Sequence, residues 1–109
     1  MKRCDIVTVA LQGDYGKPRP AVVIESDMIP PSDSVLVCPI SSMLHESGPF
    51  RRQPVDASAT TGLRTASQIM VDKLTAVRRS KCGPVVGALG QTALRELTGK
   101  VAALIGVVD

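Results

Sequence analysis

Pro20-Ala21-Val22-Val23-Ile24 and Val35-Leu36-Val37-Cys38-Pro39-Ile40 decide the fold class. Both runs are short, β-branched and almost continuously apolar, with proline at or near an end, so they favour buried strands over helices. Upstream, Asp5 to Leu11 carries Ile6, Val7, Val9 and Leu11 and stops at Gln12-Gly13-Asp14-Tyr15-Gly16, whose glycines suit a turn. Met28 to Ser34, with Pro30-Pro31, reads as a loop. Ser41 to Pro49, polar and containing Gly48, reads as a second loop long enough to hold a substrate. Downstream, Arg51 to Val55 is a strand with a polar exterior, and Thr65 to Val71 and Leu74 to Val77 supply further strands. From Gly90 to Ile105 the period changes. Leu94, Leu97, Val101 and Leu104 recur at spacings of three and four, which places them on one face of a helix ending near Gly106. Gly99 inside that helix costs about 1 kcal/mol against alanine. A run of strands closed by one helix predicts an α+β, mainly β domain on a small, strongly curved antiparallel sheet, and residues 1–109 make one domain.

Composition narrows the function classes. At 109 residues the chain supports one modest core, burying roughly two thirds of the surface of its unfolded form. Aromatics supply only 2% of a 44% hydrophobic content, so packing must rest on Val, Leu, Ile and Ala. No apolar stretch approaches the roughly 18 residues of a membrane span. Met1-Lys2-Arg3 runs into Asp5 instead of an apolar leader, so a cytoplasmic protein with no membrane role is expected. Cys4, Cys38 and Cys82 are odd in number, far apart and without a C-x-x-C pair; that pattern predicts reduced thiols and argues against a disulfide framework or a zinc site. His45 is the single histidine, and no Asp/Glu cluster has ligand spacing, so no metal or other cofactor is expected. The net charge of +3 is uneven, with Lys73, Arg78, Arg79, Lys81 and Arg95 uninterrupted by any acid. On charge alone a solvated strip outranks a nucleic-acid surface.

One segment carries more than periodicity. Gly13-Asp14-Tyr15-Gly16-Lys17-Pro18-Arg19-Pro20-Ala21-Val22-Val23-Ile24 runs from a glycine loop through Arg-Pro into an apolar strand. Val37-Cys38-Pro39-Ile40-Ser41-Ser42, then Ser67-Gln68-Ile69 with Asp72-Lys73-Leu74, then the helix from Leu94 to Gly106, follow in order. Together these four segments resemble the MazF/PemK family of toxins, and the resemblance covers essentially the whole chain. Ser41 stands where that family usually has Thr and keeps the hydroxyl. Tyr15 replaces a common Glu, and Ser67 precedes Gln68 where relatives often carry an acid, so an acidic role there is absent or moved.

The resemblance implies a small SH3-like (CcdB/PemK-like) antiparallel β-barrel with a C-terminal helix, forming a homodimer. It implies a sequence-specific, metal-independent endoribonuclease, an mRNA interferase cutting single-stranded RNA, held in check by a cognate antitoxin. Such cleavage needs the 2′-hydroxyl deprotonated, the phosphorane charge stabilised and the 5′-oxygen protonated as it leaves. Arg19 is the first catalytic candidate: its planar fork of donors matches phosphate oxygens, and Pro18 and Pro20 restrict the backbone around it. An arbitrary arginine at a loop base would more often pair with a carboxylate, and the resemblance reverses that preference. Its pKa exceeds about 12, so charge stabilisation suits it better than accepting a proton.

Ser41 is the second catalytic candidate, a hydroxyl donor to the same phosphate; without the resemblance, local turn hydrogen bonding is preferred. Lys17 and Ser42 flank these two as RNA contacts. Tyr15 and Phe50 are the residues able to stack on bases, and Phe50 could equally plug the core edge. Arg51 and Arg52 would attract phosphates. His45 could donate or accept a proton, although a surface histidine outranks that. Gln68 either contacts a base or phosphate or serves as a buried hydrogen-bonding partner in a strand. Two other functions remain open. A CcdB-like gyrase poison would act through a C-terminal tail, but this chain ends Val107-Val108-Asp109 and contains no Trp. A non-catalytic SH3-like RNA-binding module would use Arg19 for binding alone.

Overall fold

The computed structural model describes residues 1–11 and 17–107. The turn expected at 12–16, with Tyr15, lies outside them. Strands β1 (Asp5–Val9), β2 (Arg19–Val23) and β3 (Ser34–Ser41) come first, then a single helical turn, α1 (Gly48–Arg51). Strands β4 (Arg52–Val55), β5 (Ser67–Met70), β6 (Thr75–Arg78) and β7 (Cys82–Ala88) follow, and helix α2 (Gln91–Leu104) closes the order. All strand pairs are antiparallel, in the spatial order β4-β5-β3-β2-β1-β7 with β6 also on β3. This is the antiparallel, mostly β sheet with a C-terminal helix that the sequence predicts. The path ends at β4 and β7, and β6 reaches β7 only through the 3-10 turn Arg79–Lys81. Strand pairing therefore does not close the sheet among the described residues.

β3 is the organising strand. One edge pairs with β2 from Val37↔Val23 to Pro39↔Ala21. Its other edge changes partner midway: residues 34–37 pair with β6, and Ile40 and Ser41 pair with Ile69 and Gln68 of β5. Pro39 lies in the gap between those two neighbours, where a residue without an N–H leaves no ladder position empty.

The alternation of a strand explains why the central runs read as continuously apolar. Ile6, Val22, Cys38 and Ile40 face α2 and pack with Ile69, Val71, Leu94 and Leu97. Their neighbours Val7, Val9, Ala21, Val23, Val35, Val37 and Val77 pack into a second cluster on the opposite face. Gln53 is buried on β4, and its Nε2 donates to the Ala93 carbonyl at 2.9 Å, tying that strand to the first turn of α2. The helix ends as its sequence requires. Gly106 adopts φ 82, and Val107 N–H and Gly106 N–H donate to the Ala102 and Ala103 carbonyls, the paired bonds of a left-handed helix end.

Several boundaries move. The first strand stops at Val9 instead of Leu11, β2 starts one residue early at Arg19, and the expected 65–71 strand shortens to Ser67–Met70. The 41–49 loop gives way to α1 at Gly48, so the strand expected from Arg51 starts at Arg52. β7 is a strand that the sequence analysis does not predict, and its Gly83, Pro84 and Gly87 interrupt a strand pattern. Among the described residues it pairs with β1 alone and is an edge, where proline is tolerated. A Cβ at Gly87 would lie 2.1 Å from the Thr61 carbonyl oxygen. The glycine therefore admits the 56–66 segment, which Ala88 N–H fastens through a 2.9 Å bond to the Thr60 carbonyl.

Leu97 is fully buried between α2 and the sheet. Leu97→Ala should cost about 2–5 kcal/mol of stability in urea unfolding. Burial also pushes the Cys38 thiol up from 9.0 to about 12. The fold thus favours the protonated thiol: that stabilisation is complete below pH 9.0 and is lost as pH rises towards about 12. Iodoacetamide at pH 8 should leave Cys38 unmodified in the folded protein and alkylate it once urea unfolds the chain.

Candidate active site

The β2–β3 register builds the site. Continuing from Val37↔Val23 and Pro39↔Ala21 by two more residues sets Arg19 opposite Ser41. The ladder has ended by then: Pro20 has no N–H to extend it, and Ser41 has turned to pair with Gln68 of β5. The two strands splay, and an open groove of about 960 Å³ lies at their mouth. Arg19 and Ser41 both line it, together with Lys17, Ser42 and Thr8.

The opposite wall comes from the 62–65 segment, Ser67 and Val86 of β7. Arg64 on this wall gives the groove a third cation beside Lys17 and Arg19, and none of its described lining residues is acidic. Such a concentration of one sign in a recess focuses potential on an anion. Arg64 was missed by sequence reading; the signal available was a basic residue two positions after Gly62, which ends the turn-forming Thr60-Thr61-Gly62 run.

Ser41 is 6% exposed, and its Oγ accepts the Met43 N–H at 3.1 Å. The local turn bond expected of a serine at a strand end is therefore present, and it uses an acceptor site while leaving the hydroxyl proton to donate elsewhere. Arg19 and Lys17 are exposed at the groove, as is Ser42. Carboxylates for a metal are lacking here. Among the described residues, no group of three His, Cys, Asp or Glu side chains could hold an ion.

The remaining candidates lie elsewhere. His45, Arg52 and Gln68 line a separate pocket beyond the 42–47 loop, with Glu46, Glu96 and Lys100. Gln68 Oε1 accepts the His45 N–H and Gln68 Nε2 donates to the His45 carbonyl, each at 3.0 Å. Its carboxamide thus fastens the loop as a hydrogen-bonding partner in a strand. Arg52 Nη1 donates to Gln68 Oε1 and to the Met43 carbonyl, both at 3.1 Å. Arg51 is exposed and pairs with Asp72 at 3.5 Å. Phe50 is half exposed on α1, the turn that packs against α2, and does not line the groove. The basic strip from Lys73 to Arg95 does not converge on the groove either: Arg79 pairs with Glu25 at 3.5 Å and donates to the Ser32 carbonyl at 2.6 Å.

Comparison with known proteins identifies the family and the fold. Residues 2–105 match the family described as PemK-like, MazF-like toxin of type II toxin-antitoxin system. A probable endoribonuclease MazF from Mycolicibacterium smegmatis is 40% identical over 93 residues, covering 84% of each chain. The solved structure of Mycobacterium tuberculosis toxin MazF-mt6 superposes with TM-score 0.78 at 22% identity, over 94% of this chain and 96% of that one. An endoribonuclease in complex with its cognate antitoxin from a mycobacterial species gives TM-score 0.79 at 11% identity, over 100% and 98%. MazF from Deinococcus radiodurans gives 0.75 at 17%, over 97% and 96%. With the family match spanning nearly the whole chain and the curated relative agreeing, this chain belongs to the PemK-like, MazF-like toxins of type II toxin-antitoxin systems.

Proposed function

We propose that this chain is an endoribonuclease toxin that cuts single-stranded RNA, at short sequences and in messenger RNA, in the groove between β2 and β3. The observation that carries the reading is the meeting of Arg19 and Ser41 across the splayed strand ends, in a recess with three cations and no acid among its described lining residues. The related probable endoribonuclease MazF supports RNA as the substrate.

The chemistry follows from the groups available. The 2′-hydroxyl gives up its proton to water and its oxygen attacks the adjacent phosphorus, the bond to the 5′-oxygen breaks with that oxygen taking a proton from water, and the products carry a 2′,3′-cyclic phosphate and a 5′-hydroxyl. Arg19 stabilises the charge on the phosphorane, and the Ser41 hydroxyl donates to a non-bridging oxygen. Lys17, Ser42 and Arg64 hold neighbouring phosphates. Tyr15 would supply a stacking face from the preceding loop. His45, Phe50 and Arg51 lie outside the groove lining, so their part is at most in binding flanking nucleotides.

The assembly around this site belongs to the same proposal. A cognate antitoxin would cover the basic groove, and two chains would form a homodimer. No described helix is long and apolar enough to cross a membrane, and a cytoplasmic setting suits an RNA target. The curled sheet fits a small SH3-like barrel, with β6 and β7 joined by the Arg79–Lys81 turn and the 56–66 segment fastened to β7 at Ala88.

Incubation with a long single-stranded RNA in EDTA should give fragments ending in 2′,3′-cyclic phosphate. Replacing the 2′-hydroxyl at the cut site with hydrogen should stop the reaction, and continued cleavage of that substrate would eliminate the mechanism. Arg19→Ala should keep the circular dichroism of the parent and lower the cleavage rate about 100- to 1,000-fold. Affinity for the uncleavable deoxy substrate should fall far less. A folded variant that cuts at the parent rate would remove Arg19 from the chemistry.

A further inference from the structure

We propose that Arg52 and Gln68 are positioning residues that set the Ser41 hydroxyl, and that neither contacts RNA; this rests on the nuclease reading above. The two side chains lie behind the loop that follows Ser41, in the mixed-charge pocket with Glu46, Glu96 and Lys100 instead of the groove that has no acid among its described lining residues. The Gln68 carboxamide and Arg52 Nη1 are already engaged. Gln68 Oε1 accepts from His45 N–H at 3.0 Å and from Arg52 Nη1 at 3.1 Å, while its Nε2 donates to the His45 carbonyl at 3.0 Å. The carboxamide thereby copies the two bonds that a neighbouring strand would make to one residue.

The chain of bonds continues into the groove. Arg52 Nη1 donates to the Met43 carbonyl at 3.1 Å, and the Met43 N–H donates to Ser41 Oγ at 3.1 Å. Gln68, Arg52, the backbone of Met43 and Ser41 thus form one relay from the second pocket to the groove wall. A serine hydroxyl has one proton to give and two lone pairs. With the Met43 N–H occupying a lone pair, the proton of Ser41 has no described partner and is left to donate to a phosphate oxygen. Arg52 is an effective holder because its guanidinium is planar and permanently charged, so it fixes the direction of both its acceptors. The Met43 carbonyl that Arg52 holds and the Met43 N–H on Ser41 belong to successive peptide planes joined at Met43 Cα, so holding the first limits how far the second can turn; without that hold the N–H could leave Ser41 and the hydroxyl would be free to donate to a nearby carbonyl instead. Rate therefore depends on a residue outside the groove, since small misplacements of a reacting group cost as much as about 100-fold.

A double-mutant cycle tests the relay. Single-turnover cleavage of a single-stranded RNA is measured for the parent, Ser41→Ala, Arg52→Met and the double variant, with affinity for the deoxy substrate across a salt series. Arg52→Met should slow cleavage about 10- to 100-fold in the parent and less than about threefold in the Ser41→Ala background. Deoxy-substrate affinity should stay within about twofold, with an unchanged salt slope. Independent, multiplicative losses would overturn the proposal. So would a salt slope reduced by about 0.7, which marks a lost phosphate contact on a single strand.

Amide hydrogen exchange supplies a readout that does not depend on cleavage. Gln68→Ala should speed exchange at His45 at least about tenfold, and Arg52→Met should speed it at Met43. Unchanged exchange at both amides would sink the relay. If Arg52→Met does not fold, Gln68→Ala carries the same tests. A parent protein that cuts no RNA would refute the nuclease reading, while exchange would still decide whether the clamp exists.

Discussion

The pairing of β2 with β3, and its interruption, is the constraint on which the rest of the molecule depends. From Val23↔Val37 to Ala21↔Pro39 the two strands share a ladder through the centre of the sheet, with Val22 and Cys38 packed towards α2 and Val23 and Val37 towards the opposite cluster. A one-residue slip would exchange those faces and put every buried valine on the wrong side. The same register sets Arg19 against Ser41 just beyond the last pair. Stability of the core and geometry of the groove are therefore fixed by one alignment, and Arg19 is held by strands that cannot slide.

Prolines contribute to that arrangement by what they withhold. Pro20 and Pro39 carry no N–H, and each falls where a ladder stops or changes partner. β3 can then serve β6 with its first half and β5 with its end. The change of neighbour turns Ser41 towards Gln68, away from β2, and opens the groove. In most sheets a proline in a central strand would signal a wrong assignment. Here it marks the point at which the sheet divides to make a recess.

Two recesses lie on either side of the loop after Ser41, and their charges differ. The groove with Lys17, Arg19 and Arg64 has no acid among its described lining residues, whereas the other pocket balances Arg52 and Lys100 against Glu46 and Glu96. Basic residues that look equivalent along the chain thus divide into those lining the groove and those lining other parts of the surface. Arg51 is occupied by Asp72, Arg79 by Glu25 and the Ser32 carbonyl, and Arg52 by Gln68 and the Met43 carbonyl. A count of positive charge could not make that distinction, because an arginine is recruited by whichever acceptor the fold brings within reach.

What the sequence alone determined is what local pattern and motif carry. The apolar runs around Val22 and Val37 specified central strands, the three-and-four spacing of Leu94, Leu97 and Val101 specified the last helix, and Gly106 marked its end. The Arg19-Pro20 and Pro39-Ile40-Ser41 segments pointed to a toxin family, and with it to the two residues that meet in the groove. Only tertiary structure decided the rest. β7 was illegible because Gly83, Pro84 and Gly87 break strand patterning, and the reason for Gly87 is the approach of Thr61 from a distant segment. Arg64 entered the groove through that same packing. Arg52 and Gln68 carried the right chemistry for RNA, yet the pairing of Ser41 with Gln68 across β3 and β5 turned both to the loop. A side chain's type can be read from sequence, but the partner it satisfies depends on which strands become neighbours, and that is settled by long-range pairing.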